Sequence, residues 1–176
     1  FRADLALQNA GGVRIVVPAG EISIATAYEI LPFSNTLVEL ELTGAEIVQT
    51  LEEGAANFVD NPDGSDGSYP YGSAIRWDAD LSQPAGSRFA NVEVRDISGT
   101  WGPIDLAATY VVVTNSFLAS GGDGYVTFGA ANAEGRVVDT GIDYAQGFID
   151  WLVEDADGSV AVPPPSEFST QSFVPA

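Results

Sequence analysis

The sequence predicts a globular, loop-rich domain of the α/β or β-rich class. Three observations lead there. Over its 176 residues, 45% of the chain is apolar, and 19 glycines with 10 prolines punctuate it at short intervals. Thr36 to Leu42 (TLVELEL) alternates apolar and polar residues with period two, the mark of a half-buried strand. Thr43-Gly-Ala-Glu46 then forms a capping box, opening a helix through about Asn57 with Ile47, Leu51 and Ala55 on one face.

The remaining elements come in order. Ala3 to Leu7 alternates loosely and enters a turn at Asn9-Ala10-Gly11-Gly12, after which Val13 to Val17 reads as a second short strand ended by Pro18-Ala19-Gly20. Ser23 to Leu31 reads as a short helix closed by Pro32, because the residue before a proline avoids the helical region. Asp60 to Ser68 is an exposed loop, and three further strands are predicted over Ala74–Trp77, Ala90–Arg95 and Tyr110–Asn115. Thr140 and Asp143 start a last helix, whose stripe is Ala145, Phe148, Ile149 and Leu152. The three prolines at 163–165 mark the C-terminal segment as a tail or linker, so one domain is expected over 1–155 and a tail over 156–176. No internal repeat is visible.

Composition excludes several function classes. The formal charge is −19 and every one of the six basic residues is an arginine. Such a surface repels the nucleic-acid backbone and anionic membranes, so neither nucleic acid nor membrane insertion is expected. Cysteine and histidine are both absent, which removes thiolate chemistry, a Ser-His-Asp triad and a His-ligated zinc site. No stretch approaches a membrane span, and FRADLALQ lacks the regions of a signal peptide. The chain begins almost directly in an apolar strand, as a mature or excised piece of a longer protein would.

Three short stretches carry candidate chemistry. In 115-NSFLASGGDGY-125, consecutive glycines allow positive φ and close approach to a ligand. Asp123 among them suits the two hydroxyls of a diol, and Phe117 suits stacking on a planar base. The other reading is a tight turn with a core phenylalanine. In 8-QNAGGVR-14, Arg14 lies across a turn from Asn9 and suits a forked contact with phosphate, or else a surface ion pair. In 31-LPFSNT-36, Pro32 leaves Phe33 and Asn35 on a loop, where an asparagine amide can both donate to and accept from a base edge; otherwise Phe33 caps the core and Asn35 is a turn residue. The loop DNPDGSDGS offers Asp60, Asp63 and Asp66 as calcium ligands, but it lacks EF-hand spacing and reads as a solvated loop. No carboxylate pair stands out for acid–base work.

The order of these motifs is specific. NAGGVR, then LPFSNT, then TGAEIVQTLEEG, then a strand ending in Asp78 followed by PAGSR (84–88), then NSFLASGGDGY, resembles the C-terminal domain of the 5′-nucleotidase family from about Ala3 to Phe128. The resemblance implies a layered α/β (α+β) domain with a mixed β-sheet packed by helices. It implies that hydrolysis belongs to an N-terminal metallophosphoesterase domain with two divalent metal ions, absent from this chain, which itself needs no cofactor. A nucleoside or nucleotide and that N-terminal domain are the implied partners, and a periplasmic or extracellular location is implied with them. Phe33 and Phe117 match the two phenylalanines that sandwich the base, Asn35 the base-contacting asparagine, and Asp123 the aspartate on the ribose hydroxyls. Arg14, with Asn9 in the same turn, matches the phosphate-side motif, and Gly72 in YGSAIRWD matches a glycine near the base. The sequence also departs from the family. Nothing resembles the metal-binding half, Arg2 alone stands where some members place further arginines, and Tyr71 replaces a frequent serine. The competing expectation is a structural or adhesive module of a large acidic extracellular protein that uses the same fold.

Overall fold

Alternation in the sequence becomes alternation of burial in β1 (Leu5–Asn9), where Leu5, Leu7 and Asn9 point into the protein. A computed structural model describes residues 3–176; Arg2, the candidate additional arginine, lies outside the described residues. After β1 comes a 3-10 turn at Ala10–Gly12, followed by helix α1 (Ile24–Ile30), capped by the Ser23 hydroxyl. The predicted strand Val13–Val17 does not form. Both edges of β1 are taken, by β7 (Thr109–Asn115) and β3 (Pro70–Ser73), so this run cannot pair with β1 as a hairpin and lies largely exposed.

β2 (Thr36–Thr43) leads straight into α2 (Gly44–Val59). The capping box at their junction closes as the sequence predicts: the Glu46 amide donates to the Thr43 hydroxyl at 3.2 Å, and the Thr43 amide donates to the Glu46 carboxylate at 2.8 Å. Ile47, Leu51 and Ala55 are fully buried, and burying each of the two larger side chains contributes about 1.5–3 kcal/mol. Three consecutive residues of α2 then organise distant parts of the chain. The buried Glu52 carboxylate accepts the amides of Gly86, Arg88 and Phe89 at 2.7–3.0 Å. Glu53 accepts the amide and hydroxyl of Thr127, thereby capping α4 (Val126–Ala133) from another helix. Gly54 leaves room for the buried Tyr125, whose hydroxyl donates to the Ser68 carbonyl; a Cβ there would lie 2.6 Å from that hydroxyl.

The strands form two mixed sheets. The first has the order β3-β1-β7-β2-β8, with β8 spanning Val137–Asp143 and β1 and β7 parallel. The second has the order β6-β5-β4-β9, built from β6 (Trp101–Pro103), β5 (Phe89–Arg95), β4 (Ile75–Asp80) and β9 (Thr170–Val174). The short α3 (Ser116–Ala119) directly follows β7. Asp143 caps α5 (Tyr144–Glu154) by accepting the Gln146 amide, whereas Thr140 belongs to β8 and donates to the Leu37 carbonyl. The segment 156–176, expected as a tail, ends as β9, parallel to β4. Arg76 and Arg95 flank the Trp101 ring at 4.4 and 5.5 Å and tie this segment down through the Ser166 carbonyl and Glu167.

Candidate ligand-binding site

Strand direction gathers one set of loops at one end of the first sheet. β1 and β7 are parallel, so Asn9 and Asn115 both end there. β2 runs antiparallel to β7, with Leu37 opposite Asn115, which brings in the preceding Phe33–Asn35 loop. β3 runs antiparallel to β1, with Pro70 opposite Asn9, which brings in Ser65 and Gly67. A crevice beyond the carboxyl ends of neighbouring parallel strands is the ordinary place for a ligand in such sheets.

The crevice is a cavity of about 320 Å³. Asn9, Arg14, Phe33, Asn35, Phe117 and Asp123 all line it, so the structure brings together every predicted site residue except Gly72. Gly72 lies in β3 opposite Leu7, and a Cβ there would meet Ile75 at 2.5 Å and Trp77 at 3.0 Å. The missing side chain leaves room for Ile75 and the buried Trp77. The glycines at the cavity are Gly11, Gly12 and Gly67, the last from the acidic loop read as a plain solvated segment. Gly11 and Gly67 approach each other so closely that a Cβ on Gly11 would lie 3.2 Å from Gly67 backbone. That contact could not be found from the sequence, because it depends on the β1–β3 register.

Phe33 and Phe117 are 46% and 43% exposed, while Trp77, Tyr125 and Phe128 are fully buried in the core. Neither ring serves the core. Phe117 rests on Gly122, where a Cβ would come within 2.5 Å of the ring, so this glycine is what lets the aromatic lie flat on its loop. Phe33 is held through its amide, which donates to the Tyr144 hydroxyl at 3.3 Å. Burial pushes that hydroxyl above the ordinary phenol value, against the hydrogen bonds from Phe33 and Asn35. Asn35 is fixed by its own carbonyl, which accepts the Tyr144 amide at 3.0 Å, and its Oδ1 accepts the Ser116 hydroxyl at 3.3 Å.

Asp123 sits at φ 54°, in the left-handed region that disfavours any residue with a Cβ, at a cost of about 1–2 kcal/mol. Its Oδ2 accepts from Asn9 Nδ2 at 2.8 Å, and its Oδ1 has no hydrogen-bond partner among the described residues. Asn9 Oδ1 in turn accepts from Asn115 Nδ2 at 3.1 Å, and Asn115 Oδ1 caps α3 by accepting the Leu118 amide at 2.9 Å. The carboxylate and the helix that carries Phe117 are therefore set by one buried amide chain.

Among the described residues, Arg76, Arg88, Arg95 and Arg136 each pair with a carboxylate at 2.6–2.8 Å. Arg14 does not. It donates to the Gly11 carbonyl at 3.1 Å and lies 5.8 Å from the Phe33 ring centroid. Asp60 is turned to Arg88, and the described residues hold no cluster of three or more side chains suited to a metal ion. The arrangement offers aromatic faces, a carboxylate oxygen with spare acceptor capacity, a neutral amide and a guanidinium. It offers no activated nucleophile.

The same architecture is found in solved structures. The NAD nucleotidase of Haemophilus influenzae matches with a TM-score of 0.80 and 39% identity, over 85% of this chain and 27% of that one. The 5′-nucleotidase precursor of Thermus thermophilus matches with a TM-score of 0.80 and 41% identity, over 94% of this chain and 31% of that one. A probable 5′-nucleotidase of Treponema pallidum is 40% identical over 152 residues, which is 86% of this chain and 25% of that protein. The chain thus spans about a quarter of the length of the curated relatives it matches. The family model described as the 5′-nucleotidase C-terminal domain matches residues 1–130, and the chain belongs to that family.

Proposed function

We propose that this chain is the nucleotide-recognition part of a larger 5′-nucleotidase and is not catalytic by itself. The observation that carries the reading is Arg14, the one arginine among the described residues without a carboxylate partner, which lines the same cavity as Phe33, Phe117 and Asp123. In a chain of net charge −19, leaving a guanidinium uncompensated beside two half-exposed rings suits an anionic, planar ligand. The rings stack on the base, Asn35 reads its edge, Asp123 accepts from the sugar hydroxyls, and Arg14 meets the phosphate. Asn9 acts through Asp123.

Hydrolysis in this reading belongs to the remainder of the protein, where two divalent metal ions supply Lewis acidity and a water nucleophile. The residues of this chain do not suit those ions: it has no histidine or cysteine, and its described residues gather no metal-binding cluster. Its contribution is orientation, holding the phosphate ester in one pose relative to the catalytic part. Such a protein works in nucleotide breakdown. No helix among the described residues is long and apolar enough to cross a membrane, and the acidic, lysine-free composition suits a secreted or periplasmic setting.

A calorimetric titration of the chain with adenosine and AMP tests the reading. Saturable binding of both, lost in Phe117→Ala, is expected, with no phosphatase activity from the pure chain even with added divalent metal. Absence of binding up to millimolar concentration, combined with self-association, would favour a structural module on the same fold.

A further inference from the structure

One serine oxygen joins the two arms of the candidate site. Phe33 and Asn35 precede β2, whereas Phe117 lies on α3. Among the described residues, both side-chain hydrogen bonds between 31–36 and 115–125 are made by the Ser116 hydroxyl. The Thr36 amide donates to Ser116 Oγ at 3.1 Å, and Ser116 Oγ donates to Asn35 Oδ1 at 3.3 Å. A backbone amide can only donate, so the serine oxygen accepts there, and Asn35 is the one acceptor its own hydrogen has among the described residues. An asparagine amide carries a donor and an acceptor at opposite ends, and half a turn about its last bond exchanges them. Here that turn would put Nδ2 at the serine in place of Oδ1 and leave the hydroxyl hydrogen unpaired. The backbone of Asn35 is held as well, because its carbonyl accepts the Tyr144 amide at 3.0 Å. The amide therefore stands in one orientation at the cavity it lines with Phe33 and Phe117.

We propose that Ser116 is a positioning residue that makes the site choose between bases, by fixing which way round Asn35 presents its amide. The inference rests on the nucleotide-recognition reading and goes beyond it, since aromatic faces stack on any base alike. Adenine and hypoxanthine are the sharpest pair for such a choice. They share a ring system, but one edge carries an amino donor beside a ring-nitrogen acceptor, and the other an oxo acceptor beside an N–H donor. An amide held in one orientation satisfies one of the two. An amide free to turn satisfies both.

Calorimetric titration of the chain with adenosine and inosine, in the parent and in Ser116→Ala and Ser116→Thr, tests this. The parent is expected to prefer one nucleoside by about tenfold, the worth of one hydrogen bond met in one complex and missed in the other. Ser116→Ala should bind both, with affinities within about twofold of each other. Ser116→Thr keeps the hydroxyl and should keep the preference. Ser116→Cys, of nearly the same shape but with a weak S–H donor, makes the same comparison should the alanine variant not fold. A merely structural role would weaken both nucleosides alike and leave their ratio as it is, so a ratio that survives in Ser116→Ala or Ser116→Cys would overturn the proposal. Equal affinity of the parent for the two nucleosides would overturn it alone, whereas failure of the parent to bind either would overturn the nucleotide-recognition reading with it.

Discussion

The side-chain amide of Asn9 donates to Oδ2 of Asp123 at 2.8 Å, joining two residues 114 positions apart in the chain. The bond turns a strained carboxylate into a fixed one. Asp123 tolerates its left-handed backbone because an asparagine at the end of β1 holds it, and Asn115 at the end of the neighbouring parallel strand holds that asparagine.

Replacing Asp123 by glycine separates stability from binding. Glycine relieves the positive φ but leaves the Asn9 amide without its acceptor, and the two effects oppose each other. The unfolding free energy of Asp123→Gly is expected within about 1 kcal/mol of the parent. Adenosine affinity should nevertheless fall by more than tenfold, since a charged hydrogen-bond acceptor is lost. Denaturant unfolding and calorimetry on one sample would check both.

Arg14→Ala should erase the preference for AMP over adenosine and leave adenosine binding intact. The parent preference is expected to be about tenfold at low salt, in the range of a charge-assisted contact, and to shrink as salt is added. A preference that persists in the variant would place the phosphate elsewhere.

Glu52→Ala should be the more damaging of two changes on α2, although Glu52 touches no ligand site. Three amides of the 86–89 segment would lose their common acceptor, at a cost of about 1–3 kcal/mol for each buried donor left unsatisfied. Leu51→Ala should cost about 2–5 kcal/mol through lost burial and the cavity it leaves. Comparing the two midpoints in urea weighs a polar clip against a core leucine.

The Asp60–Arg88 pair gives a pH signature. The hydrogen bonds from Arg88, and then its charge, hold the Asp60 carboxyl below the usual aspartate value. A depressed folded-state value means that the pair's stabilisation is present above about pH 4 and is lost as pH falls through the lower folded value. The stability gap between the parent and Asp60→Asn should therefore be constant from neutral pH down to about 4 and close below it. A gap that stays unchanged into strong acid would mean that the carboxylate charge contributes nothing.

Signals confined to a few adjacent residues are legible without a structure. The Thr43–Glu46 box, the period-two run of β2, the Asp143 cap and the stop at Pro32 all depend on neighbours within about a turn of chain, and each forms where the sequence places it. The start of α4 was hidden because its cap, Glu53, comes from another helix. Similarly, β9 lay behind three prolines, and its strand exists only because β4 offers a parallel edge.

The residue types of the candidate site, and their order, were set by the sequence, and tertiary structure decided their company. The pairing of Asn9 with Pro70 carries Gly67, in a loop the sequence reads as solvated, to the cavity and sets Gly72, the glycine matched by resemblance, against Ile75 and Trp77. The same β1 closes both its edges with β3 and β7, leaving the Val13–Val17 run unpaired. The reason is physical: a cap or a turn is satisfied by the next few residues, whereas a register is chosen by which distant strand completes the hydrogen bonds of a sheet.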